Sequence, residues 1–189
     1  EPLVRDDMAE RARVATLHGA ILSDMAHYDA ARVQLRQAQA WAEEAADSKQ
    51  GIYAESMAGR LLVLTGDLDE AAMVLERSIG QARRMWTAFL PWPQSFRAEV
   101  DLLRGRIDAA ADRFEHAFAL GCQLAGPCWE GIAGRGLGLV AAARGDVGCA
   151  GVHARFGAAA RLEHDEAQRA ADGAAQFLGE GLGEQELLL

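Results

Sequence analysis

Thr65-Gly66-Asp67-Leu68-Asp69-Glu70-Ala71-Ala72 reads as a helix stop, a one-residue turn and a new helix start. Glycine tolerates the left-handed conformation that ends a helix, and an aspartate just after it is placed to cap the donors that open the next. Glu70 stands at the capping-box distance from Asp67. The same punctuation recurs. Ala26-His27-Tyr28-Asp29-Ala30-Ala31 lies 40 residues earlier, Gly105-Arg106-Ile107-Asp108-Ala109-Ala110 lies 39 later, and Gly145-Asp146-Val147-Gly148-Cys149-Ala150 follows after another 40. A fixed period of that length is the signature of stacked helical hairpins.

Superposing the turns aligns more than the turns. Seven positions before the turn residue stand Gly19, Gly59, Ala98 and Gly138. Five after it there is always alanine: Ala31, Ala71, Ala110 and Ala150. Nine after it come Leu35, Leu75, Phe114 and Ala154, and twelve after it Ala38, Ser78, Ala117 and Gly157. Small residues at matching points let two helices approach closely. The larger residue then fills the space between successive hairpins.

Composition agrees with an all-α chain. The 189 residues are 50% hydrophobic but only 6% aromatic, rich in alanine, with four prolines leaving long stretches free for helices. A formal net charge of −9 is poorly suited to neutralising phosphates, so this segment is not expected to bind nucleic acid. The cations are nearly all arginine, Lys49 being the lone lysine, a bias that fits a GC-rich bacterial source. No apolar run is long enough for a membrane span and no signal-peptide pattern opens the chain, which points to the cytoplasm. The first residue is Glu1, not methionine, and we expect a piece of something longer.

The periodicity predicts one helical-repeat domain over 1–189, with hairpins at about 6–46, 52–87, 93–124 and 127–162 and a capping helix at 163–178. Asp47 to Gly51 reads as a connection. Pro93 is expected in the first turn of its helix, with Trp92 extended before it. The second helix of the last hairpin carries Gly148, Gly151 and Gly157 and should be the least stable.

Nothing in the chain reads as a catalytic or metal centre. Cys122 and Cys128 are six apart across a Gly-Pro turn, a poor chelate spacing, and with Cys149 read as packing residues beside the scattered His116 and His153. There is no G-x-S-x-G and no G-x-x-x-x-G-K-[ST]. Carboxylate pairs such as Glu43/Glu44 and Asp69/Glu70 fall on helix surfaces or first turns, where solvation and the helix dipole account for them. No cofactor is expected.

The small–turn–small–large–small pattern over about 12–162 resembles the tetratricopeptide repeat, whose usual period is 34. Leu22, Leu62, Asp101 and Ala141 stand where that family favours tyrosine. The resemblance implies a right-handed solenoid in which the first helix of each hairpin lines a concave groove. Carried over by alignment, that groove takes Arg13, Thr16, Ser23 and Asp24, then Tyr53, Ser56 and Arg60, then Trp92, Ser95 and Glu99, and finally Ile132, Arg135 and Leu139. Polar and aromatic groups together on a concave face suit ligand or peptide recognition, with Trp92, Trp129 and Trp86 as anchors. A merely solvated or half-buried inner face is the plain alternative.

A narrower resemblance rests on the Ala/Arg/Gly-rich repeats near 40 residues and on Leu120-Gly121-Cys122-Gln123-Leu124 and Pro127-Cys128-Trp129-Glu130-Gly131. These look like the helical sensor region of large actinobacterial LuxR-type regulators, where an ATPase module precedes the repeats and a helix-turn-helix commonly follows. That resemblance implies a non-catalytic protein-interaction or effector-sensing module. Its partners would be another protein, neighbouring domains of the same chain, or a small effector. A stand-alone scaffold or oligomerisation domain, including a homodimer, is the alternative.

Overall fold

The computed structural model describes residues 2–146 and residue 148. Over that span the chain forms seven α-helices: α1 (Pro2–Asp24), α2 (Tyr28–Glu44), α3 (Ser48–Thr65), α4 (Leu68–Met85), α5 (Pro91–Leu103), α6 (Ile107–Gln123) and α7 (Pro127–Ala143). One 3₁₀ turn (Thr87–Phe89) joins α4 to α5, and there is no strand among the described residues. The expected second helix of the fourth hairpin and the helix at 163–178 lie outside the described residues.

The turn at Gly66 is a Schellman motif. Gly66 sits at φ +84°, its N–H donates to Val63 O at 3.2 Å, and the Asp67 N–H donates to Leu62 O at 2.9 Å. The same pair of bonds closes α1 at Ala26, α5 at Gly105 and α7 at Gly145. It also closes α2 at Ala46 and α6 at Ala125, between the hairpins rather than within them. The backbone therefore repeats at half the sequence period. Alanine hides those two stops, because it takes the left-handed region only at a cost. The exception is the end of α4, where Trp86 leaves the helix at φ −155°, ψ 66°, outside the left-handed region, and the 3₁₀ turn carries Phe89 inward.

Several helix starts differ from the sequence reading. Asp47 belongs to no connection: its side chain accepts from the Gln50 N–H at 3.0 Å and caps α3 four residues earlier than expected. Asp67 makes no such bond to α4; its carboxylate instead accepts from the Thr65 hydroxyl at 2.8 Å, so that half of the capping box is not made. Pro91, not Pro93, takes the first helical position, which its missing N–H suits, and Trp92 is helical.

Each helix packs on the next in chain order. In addition α1 touches α3, α3 touches α5 and α5 touches α7, whereas the backbones of α2 and α4, and likewise of α4 and α6, stay apart, α6 reaching α4 only through the Arg113 side chain. The odd-numbered helices thus form the tighter, inner row. What seats the hairpins is a large side chain in a small-residue notch. A Cβ on Gly59 would lie 2.6 Å from Leu75 Cδ2, and one on Gly136 would lie 2.0 Å from Phe114 Cε1. Leu35, Leu75 and Phe114 are fully buried, each in one cluster with residues of the next odd helix: Met57 and Leu61, Phe96 and Val100, and Val140.

Asp101, where an apolar or tyrosine side chain would be the simpler choice, is 2% exposed. Its carboxylate meets Arg97 at 2.7 Å, Arg106 at 2.7 Å and Arg113 at 3.0 Å, while Arg97 and Arg113 also reach Glu76 of α4 at 3.2 and 2.7 Å. Three guanidiniums around one buried carboxylate tie α5 and α6 to α4. Burial of that charge is tolerable only because it is surrounded by its counter-charges.

Gly136→Ala should lower stability by about 1–3 kcal/mol through overpacking against Phe114. Ala46→Gly, which relieves a left-handed alanine at φ +54°, should raise it by about 0.5–1 kcal/mol. Urea unfolding followed by circular dichroism checks both signs.

Candidate groove on the inner helix row

The odd-numbered helices present a groove of about 760 Å³ running from α1 across α3 and α5 to α7. Asp24, Tyr53, Arg60, Trp92, Glu99, Ile132 and Arg135 of the expected face line it. Met57, Phe96 and Cys128 also line it, with Ala20, Val63, Leu64 and Gly131. Alignment missed these residues because each looks like ordinary core at helical spacing.

The remaining expected residues lie elsewhere. Ser56 and Ser95 are fully buried, their hydroxyls turned back to donate to Ile52 O and Pro91 O at 2.8 Å. Ser56 also pairs with Ser78 of α4 at 2.6 Å, so it joins two helices inside a hairpin. Thr16 and Ser23 are likewise buried and bond back to Ala12 O and Gly19 O. A small hydroxyl residue can satisfy itself on its own helix and so passes for core, which sequence position alone does not reveal. Arg13 is exposed and paired with Glu10 of its own helix, outside the groove. Leu139 is exposed and does not line the groove either.

The groove floor is aromatic through Tyr53, Trp92 and Phe96, backed from beneath by Trp86, Phe89 and Trp129, which do not line it. Trp86 stacks on Phe89 at 4.5 Å, Phe89 meets Tyr53 and Trp129 edge to face at 5.5 and 5.9 Å, and Trp92 meets Trp129 and Phe96 at 5.6 and 5.3 Å. The irregular Trp86 and the 3₁₀ turn that replace one Schellman stop are what bring Phe89 under Trp92. The expected anchors Trp86, Trp92 and Trp129 therefore share one cluster with the inter-helix core. The indole Nε1–H of Trp92, buried within it, has no acceptor. A buried donor left unpaired costs about 1–3 kcal/mol.

Above the floor runs a row of alternating charge, one residue from each odd helix: Asp24, Arg60, Glu99, Arg135. Arg60 donates to Asp24 and Arg135 donates to Glu99. The Arg60 guanidinium also lies over the Phe96 ring, its Cζ 5.8 Å from the centroid. Burial pushes the Glu99 carboxyl above its ordinary range, with Arg135 and then Arg60 pulling it partly back. Burial likewise raises Tyr53, helped by Cys128, and raises the Cys128 thiol. Burial thus disfavours the thiolate form of the half-buried Cys128.

Among the described residues no grouping of three or more His, Cys, Asp or Glu could hold a metal ion, and His116 is engaged by Gln94 at 3.0 Å. Cys149 and His153 lie outside the described residues. No helix among them is long and apolar enough to cross a membrane. No protein-family model matches the chain, and no curated protein matches it.

The raised Glu99 pKa carries a sign. Between the ordinary glutamate value of about 4.3 and the raised value, the folded chain holds a proton that the unfolded chain has lost. Its contribution to stability therefore falls as pH rises through that window. Glu99→Gln has no charge to desolvate, so its stability relative to the parent should improve from about pH 4 upward. Urea midpoints measured across that range check this; a difference that does not change with pH would place Glu99 among ordinary carboxylates.

Proposed function

We propose that the chain is a non-catalytic recognition module that binds a segment of a partner protein, or a small effector, in the groove of the inner helix row. The observation that carries the reading is the coincidence, in one groove, of an aromatic floor and a self-neutralised row of charge contributed by four successive odd helices. Such a groove selects by shape and apolar contact, with the charges setting register, and not by net charge.

We take the helices to form a right-handed solenoid of tetratricopeptide-like hairpins, the reading suggested by the turn period and by the backbone packing of each odd helix on the next odd one. An occupant spanning α1 to α7 touches every hairpin, so its binding would bias their spacing and could be transmitted to a neighbouring domain. Assignment to a cytoplasmic bacterial regulator of the LuxR type rests on sequence resemblance. The full reading frame tests that part, with an upstream nucleotide-binding motif and a downstream helix-turn-helix as the expected finding.

Panning the chain against a displayed library of random peptides of about twelve residues should enrich sequences centred on an aromatic or long aliphatic residue. The Arg60→Ala/Arg135→Ala variant leaves the aromatic floor in place and should bind the enriched peptides about ten-fold more weakly or worse. Equal binding by both proteins, or no enrichment over the bare matrix, would sink the groove reading.

A further inference from the structure

The outer face of α1 repeats a face that is buried everywhere else. At every internal junction the odd helix meets the preceding hairpin through residues 12, 9 and 5 positions before its turn residue. In α3 these are Ala54, Met57 and Leu61, in α5 Pro93, Phe96 and Val100, and in α7 Ala133, Gly136 and Val140; all are buried. What covers them is the preceding even helix, by its alanine five positions past the turn and its large residue nine past. Ala31 and Leu35 cover Met57 and Leu61, Ala71 and Leu75 cover Phe96 and Val100, and Ala110 and Phe114 cover Val140.

On α1 the same three positions are Val14, Leu17 and Ile21, exposed at 56%, 47% and 57%. Met25, one turn further on, is 59% exposed. Each junction position of α1 is a large aliphatic, where a solvated helix face would carry charge. The stripe is distinct from the groove, which α1 enters through Ala20 and Asp24.

We propose that this face is a docking surface for a helical hairpin of the same repeat class. Its second helix would place an Ala and, four residues on, a Leu or Phe against Leu17 and Ile21. The internal junctions argue for that occupant, because the α1 stripe is their continuation in residue type and in register. In a repeat array each unit buries its apolar face only on its neighbours, so an unpaired junction face is completed by one more unit of the same kind.

The test adds that unit to the full chain. A second copy of residues 8–47, α1 and α2 with the Asp47 cap, is fused ahead of Met8, so that the original α1 becomes an internal helix. Docking should raise the urea midpoint by roughly 0.5–1 M and increase the slope of the single transition. Leu17→Asp/Ile21→Asp in the original α1 should abolish that gain in the extended chain, yet shift the midpoint of the unextended chain by less than about 0.2 M, those residues being exposed there. An extension that gives no gain, or a gain unaffected by the substitutions, overturns the proposal. So does self-association of the unextended chain by sedimentation equilibrium that the same substitutions abolish, because a second copy of α1 would then be the occupant.

Discussion

The fold depends on one steric arrangement: a bulky side chain on each even helix seated in a notch left by small residues on the odd helices beside it. Leu35, Leu75 and Phe114 are fully buried, and a methyl group added at Gly59 or Gly136 would collide with the side chain that fills the notch. Close packing of this kind fixes the separation and rotation of neighbouring helices at the same time. The inner row, the groove and the exposed face of α1 all follow from it.

Polar groups are admitted where they reinforce that arrangement. Asp101 collects Arg97, Arg106 and Arg113 and, through Glu76, ties the third hairpin to the second. Further ion pairs cross the hairpins at a similar sequence separation, with Arg104 reaching Asp69 and Arg144 reaching Asp108. Arg104 and Arg144 stand just before equivalent turns and their partners three residues after the preceding ones, so these pairs repeat with the array. Pairs this exposed at the carboxylate end add little stability. Their regular placement follows the register that the packed side chains set.

The groove gains its character where the repeat is broken. Trp86 leaves the helix without a left-handed stop, the 3₁₀ turn carries Phe89 inward, and Pro91 starts α5 two residues earlier than Pro93 would. That irregularity gathers Tyr53, Trp86, Phe89, Trp92 and Trp129 into one contact network beneath Arg60 and Glu99. A strictly periodic chain would have put another left-handed stop near position 86 and kept the rings apart.

From sequence alone the helical class, the within-hairpin turns and the notch-and-filler positions were legible, because each depends on local rules: glycine at a left-handed stop, small residues at a fixed phase, apolar spacing near 3.6. The face carrying Asp24, Tyr53, Arg60, Trp92, Glu99, Ile132 and Arg135 came from the tetratricopeptide resemblance, and these residues line the groove while Arg13, Thr16, Ser23, Ser56, Ser95 and Leu139 of the same face do not. Tertiary structure decided the rest. The stops at Ala46 and Ala125 were hidden because their residue type disfavours the conformation they adopt. Ser56 and Ser95 were drawn into the core because a serine can bond back to its own helix once neighbours close over it. Glu99 and Arg135 became a half-buried pair, and Val14, Leu17 and Ile21 stayed in solvent while their counterparts were covered, for a single reason. Burial is a property of what packs against a residue, and the phase of one helix does not carry that information.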